Sequence, residues 1–142
     1  MSLVLDASMA LAWQFKRVDP AEAIVAEQAL DQLSSVQATV PAIWYSEVAS
    51  GVLRAERQGV ILPDQSAYYL TELAQADIVL DEQSPHARQS AVLSLARTYG
   101  LTAYDATYLE LALRTGRELA TFDRQLALAV RKAGGRVFGD PA

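Results

Sequence analysis

Short apolar runs of strand type alternate along this chain with long stretches of helical periodicity, and this alternation limits the fold more than any other feature. Leu3-Val4-Leu5 ends at Asp6 and is followed by a turn at Ser8 and a helical pattern of Ala10, Leu11, Trp13 and Phe15. Pro20 opens a helix with Ala23, Ile24, Ala26, Ala29, Leu30 and Leu33 on one face. Thr39-Val40 is a minimal strand before Pro41, and the helix from Ala42 to about Arg57 is closed by Gly59. Pro63 and Asp64 start a helix reaching about Ala76, and Ile78-Val79-Leu80 is the next strand. A helix from Pro85 to Thr98 stops at Gly100, and another begins at Thr102 or Ala103 and ends at Gly116. Leu119-Ala120-Thr121 reads as a strand, Asp123 to about Ala133 as a helix, and Arg136-Val137-Phe138 as a last strand. The pattern predicts an α/β fold with a mostly parallel central sheet covered by helices on both faces. No repeat, linker or low-complexity segment interrupts it, so residues 1–142 read as a single domain.

No apolar run approaches the roughly 20 residues of a membrane span, and the N-terminus lacks the pattern of a signal peptide, which points to the cytoplasm. The chain has no cysteine and one histidine, His86, so thiolate nucleophiles, disulfides and Cys- or His-rich zinc sites are excluded. Any metal must be held by oxygen. A net charge of -5 argues against a general electrostatic grip on nucleic acid. Ten of the twelve basic residues are arginine, however, so a local basic rim around an acidic pocket is compatible with the composition.

In open parallel sheets, ligands bind beyond the carboxyl ends of the strands. Asp6 terminates the first strand and Asp123 follows the strand at Leu119–Thr121, which puts both on one edge of the sheet. Each also has a structural reading, Asp6 as a turn residue and Asp123 as a helix N-cap. Asp105 shares a helix face with Tyr108, Leu109, Ala112 and Leu113, where a carboxylate needs a partner, although the helix N-terminus offsets part of its burial. Glu47 borders the stripe of Trp44, Val48, Val52 and Ala55, and no lysine in the flanking turns pairs with it. Three or four carboxylates gathered without a cation repel one another, so such a cluster implies a hard divalent metal such as Mg²⁺. With no Cys or His nucleophile at hand, water activated by metal is the natural attacking group, and metal-assisted hydrolysis is the reaction class.

The chain resembles the PIN-domain ribonucleases, and within them the VapC-type toxins of toxin-antitoxin pairs. The resemblance is carried by Val4-Leu5-Asp6-Ala7-Ser8, by Pro41 with Trp44 and Ser46-Glu47-Val48-Ala49, by Leu101-Thr102-Ala103-Tyr104-Asp105-Ala106, and by Ala120-Thr121-Phe122-Asp123. It implies that Asp6, Glu47, Asp105 and Asp123 are Mg²⁺ or Mn²⁺ ligands, that Ser8 and Thr121 support them through hydroxyl hydrogen bonds, and that the reaction is endonucleolytic RNA cleavage. Ser8 and Thr121 also read as a helix-start hydroxyl and an ordinary strand residue. Where the family often has asparagine one turn after the glutamate, this chain has Ser50. The resemblance further implies a homodimer and a cognate antitoxin that lays a helix over the toxin. Trp13, Phe15, Trp44, Tyr68 and Tyr69 are candidate apolar contacts, with core packing as the preferred reading for most. Residues 60–98 carry no family motif and are expected to shape the walls of the cleft.

Two other enzyme or signalling classes fit less well. An aspartyl phosphotransferase needs a second aspartate two positions after the first, where this chain has Ser8. A phospho-receiver needs an acidic pair near the first strand and a lysine after a late one, and the lysines here are Lys16 and Lys132. A non-catalytic receiver-like or RNA-binding module with idle acids is the remaining alternative.

Overall fold

The computed structural model describes residues 2–141. Four three-residue strands, β1 (Leu3–Leu5), β2 (Ala38–Val40), β3 (Ile78–Leu80) and β4 (Glu118–Ala120), form a parallel sheet in the order β3-β2-β1-β4. All three residues of β1 and of β2 are buried. Successive residues of a strand face opposite sides, so burial of every one means the centre of the sheet is covered on both faces.

The helices are α1 (Ala7–Leu11), α2 (Pro20–Gln32), α3 (Ile43–Arg57), α4 (Pro63–Gln75), α5 (Pro85–Tyr99), α6 (Ala103–Thr115) and α7 (Arg124–Lys132). Six of them pack as two groups, α1 against α2 and α3, and α6 against α5 and α7, while α4 is tied to α1 by the Tyr69 hydroxyl, which donates to the Ala10 carbonyl. The local signals act as expected at several ends. Asp19 and Ser84 cap α2 and α5 with their side chains, each before a proline in the first turn. Gly100 ends α5 at φ 65°, a left-handed position that favours glycine.

Three sequence expectations shift. The first helix begins at Ala7 and ends at Leu11, before Trp13 and Phe15. The Trp13 indole donates to the Ala26 carbonyl at 2.9 Å, so the turns after α1 are tied to α2 and do not extend the helix. The strand expected at Leu119–Thr121 lies one residue earlier, because its register pairs Leu5 with Ala120 and the Asp6 amide then bonds the Ala120 carbonyl at 3.0 Å. Thr121 is thereby released from the ladder. The strand expected at Arg136–Phe138 is a single parallel bridge between Val137 and Leu119, after which the backbone turns at Gly139 and Asp140.

Candidate active site

Asp6 stands where β1 becomes α1, with only 7% of its surface exposed. Its Oδ2 accepts the Ser8 hydroxyl at 2.8 Å and the Thr121 hydroxyl at 2.5 Å. Those hydroxyls also accept, Ser8 Oγ from the Phe122 amide at 2.9 Å and Thr121 Oγ1 from the Asp123 amide at 3.0 Å. The end of β1 and the segment after β4 are thus joined through one carboxylate. Burial pushes the Asp6 pKa up, and the hydroxyls of Thr121 and Ser8 and the Ala7 backbone work against it.

Glu47 lies half-buried on α3, and its Oε1 accepts the Tyr108 hydroxyl at 2.5 Å. Tyr108 belongs to α6 and is fully buried. A buried phenol needs a partner for its hydroxyl, and the partner fixes how Glu47 points. Burial raises the Glu47 pKa, the Tyr108 bond lowers it, and the charge of Asp6 raises it further. Asp105, in the first turn of α6, is pushed up to about 6 by partial burial and then by the charges of Asp123, Asp6 and Glu47, with Thr102 opposing. Asp123 is the N-cap of α7, its Oδ1 accepting the Leu126 amide at 2.9 Å.

All four acids line one open cleft of about 500 Å³ beyond the carboxyl ends of the strands. Ser8, Ser46, Ser50 and Tyr104 also face it. Two cations border it. Arg17 donates to Glu22 at 3.3 Å and lies 4.8 Å from the centre of the Phe122 ring, while Arg54 projects from α3. Among the described residues no arginine, lysine or histidine forms an ion pair with any of the four acids. This donor set of oxygens without thiolate or imidazole fits a hard divalent cation, whose charge would relieve the mutual repulsion seen at Asp105. Among the described residues no three acidic, histidine or cysteine side chains converge as a ready-made ligand set, so the acids face the cleft without closing on one point.

The four acids singled out in the sequence are therefore brought together, and so are Ser8 and Thr121, as hydrogen-bond donors to Asp6. For Asp123 the two readings coexist, since one oxygen caps α7 while the residue lines the cleft. Core packing holds for Trp44 and Tyr69, whereas Tyr68 is exposed. Residues 60–98 contribute nothing to the walls of the acid cleft, and instead line a neighbouring pocket of about 290 Å³ that shares Ile43 with it. Tyr108 was not legible as a site residue. Its one signal was a hydroxyl on an otherwise apolar helix face.

A parallel α/β sheet with an acid-lined cleft beyond its strand ends defines the class of this protein. The PIN domain model matches residues 3–132, and the chain is 34% identical over 127 residues to ribonuclease VapC3 of Pyrobaculum aerophilum, covering 89% of this chain and 93% of that one. This chain belongs to the PIN domain family. Its fold is similar to that of PAE2754 from Pyrobaculum aerophilum (TM-score 0.67, 21% identity, 94% of this chain and 96% of that one). It is also similar to FitAcB from Neisseria gonorrhoeae (TM-score 0.58, 24% identity, 98% and 97% covered) and to a toxin-antitoxin complex from Klebsiella pneumoniae (TM-score 0.58, 20% identity, 87% of each).

Proposed function

We propose that this chain is a divalent-metal-dependent endoribonuclease of the VapC toxin type, with Asp6, Glu47, Asp105 and Asp123 as metal ligands and a cognate antitoxin as its inhibitor. The observation that carries this reading is that four acids from four separate segments face one cleft with no protein cation paired to any of them. The 34% identical relative is a ribonuclease, and one structure of similar fold is a toxin-antitoxin complex. Bound there, Mg²⁺ or Mn²⁺ would supply a Lewis acid for the phosphodiester and lower the pKa of water. The protein's own part is orientation. Ser8 and Thr121 hold Asp6, Tyr108 holds Glu47, and the α7 amide holds Asp123, each through one carboxylate oxygen.

An apolar hollow of about 200 Å³ lined by Trp44, Tyr45, Leu70, Leu73 and Ile78 supports a protein partner, either the antitoxin or the second subunit of a homodimer. The receiver-like alternative is disfavoured by topology. Receivers place β1 between β2 and β3, and here it lies between β2 and β4. Among the described residues no helix is long and apolar enough to cross a membrane.

The test is RNA cleavage by purified protein with Mg²⁺ or Mn²⁺. Cleavage is expected with either ion and lost in excess EDTA, and expression should arrest growth unless the neighbouring gene's product is co-expressed. Undiminished cleavage in EDTA, or harmless expression of folded, metal-loaded protein, would overturn the proposal.

A further inference from the structure

Among the described residues Arg54 is the one cation at the acid cleft that forms neither an ion pair nor a side-chain hydrogen bond. Arg17, the other, is engaged by Glu22 and by the Phe122 ring. On α3 the residues Ile43, Ser46, Glu47, Ser50, Gly51 and Arg54 recur at helical spacing and all line the cleft, so one stripe of the helix runs along it. Arg54 lies seven positions after Glu47, which is ~10 Å along the helix axis. Arg54 is exposed, and one carboxylate oxygen of Glu47 accepts the Tyr108 hydroxyl.

A cation at the rim of an acidic cleft can pair with a carboxylate that lies within its reach. Arg54 instead stands apart, and a net acidic protein that handles a polyanion needs a local cation to offset its field. Arginine meets phosphate oxygens with two parallel hydrogen bonds. Resting on the ribonuclease reading above, we propose that Arg54 is a substrate-binding residue that holds an RNA phosphate adjacent to the one presented to the acids. The stripe on α3 then sets the direction in which the strand crosses the cleft, with Ser50 between the two phosphate positions.

A different role must be separated from this one. Arg54 is in the last turn of α3, where any cation is favoured by the helix dipole. Arg57 shares that turn and that dipole but does not line the cleft, so it serves as the control.

The experiment measures binding of a fluorescein-labelled, mixed-sequence single-stranded RNA oligonucleotide by anisotropy, in Ca²⁺ and across a salt series, together with kcat and KM for cleavage in Mg²⁺. Arg54→Gln should weaken binding about tenfold and make the slope of log K against log salt shallower by about 0.7, the contribution of one phosphate contact on a single strand. KM should rise by a similar factor while kcat stays within about twofold. Arg54→Lys should keep the salt slope because it keeps the charge, and Arg57→Gln should change neither quantity. An Arg54→Gln protein with wild-type affinity and slope would overturn the proposal, as would an Arg57→Gln protein that lost as much. Wild-type cleavage with unaltered Arg54→Gln kinetics refutes this role alone. A wild type that neither binds nor cleaves RNA refutes the ribonuclease reading and this role with it.

Discussion

Asp105→Asn separates a crowded metal site from a structural aspartate by stability. Asp105 is held at a pKa of about 6 in the folded protein against 3.8 for a free carboxyl, first by partial burial and then by Asp123, Asp6 and Glu47. At about 1.4 kcal/mol for each tenfold change in proton affinity, the upper bound on the destabilisation is ~3 kcal/mol. Asp105 is half-exposed, and solvent screening reduces the figure to ~1 kcal/mol. The sign follows from proton binding. Between the two pKa values the folded state binds more protons than the unfolded, so this group destabilises the metal-free protein fully above about pH 6, and the loss disappears as the pH falls to about 4. The asparagine variant carries no charge to lose. In EDTA at pH 8 it should therefore melt roughly 3 °C above wild type, and at pH 4 the two should coincide. Added Mg²⁺ should raise the wild-type melting temperature in a concentration-dependent way and the variant's less, because a ligand of the native state stabilises by RT ln(1 + [L]/Kd). Scanning calorimetry at the two pH values, with and without Mg²⁺, reads all of this. A variant that melts earlier than wild type at pH 8 and retains the full response to Mg²⁺ would refute the shared site.

Two further changes probe the supports. Thr121→Val removes a donor to buried Asp6, and should cost about 1–3 kcal/mol in urea unfolding and lower cleavage about 10–100-fold, whereas Thr121→Ser should restore most of both. Full activity in Thr121→Val would mean that Asp6 needs no such support. Glu110 is buried beneath Arg88 and Arg114, and Arg114 also pairs with Asp81 after β3, so these four side chains tie α5 and α6 to the sheet edge. Glu110→Ala should cost about 2–4 kcal/mol, measured as a lower urea midpoint, with wild-type RNA-binding affinity at low temperature. A variant as stable as wild type would show that the network is ornamental to the fold.

Sequence alone determined the layout, because alternation and end signals act within a few residues of the chain. β1, β3, α2, α4 and the glycine stops after α5 and α6 fall where the apolar runs, prolines and glycines place them. Parallel pairing follows from strands separated by helices, and it carries Asp6 and Asp123 to one sheet edge before any chemistry is considered. The acids themselves were legible for the same reason, each sitting at a strand end, at a helix start or on a helix stripe whose direction the fold dictates.

Tertiary structure decided what depends on atoms distant in the chain. The one-residue shift of β4 comes from its register against β1, and the Thr121 hydroxyl just beyond the strand meets Asp6 across 115 positions. The bond from Tyr108 to Glu47 spans 61 positions and turns a core tyrosine into a positioning group. The pKa of Asp105 is raised first by burial and then by three charges, and both arise only in the folded chain. The last strand shrank to one bridge and the first helix stopped short of Trp13, since each depends on what lies beside it. Periodicity fixes which residues share a face, but the partner each face meets is chosen by packing, and the site is made of such partners.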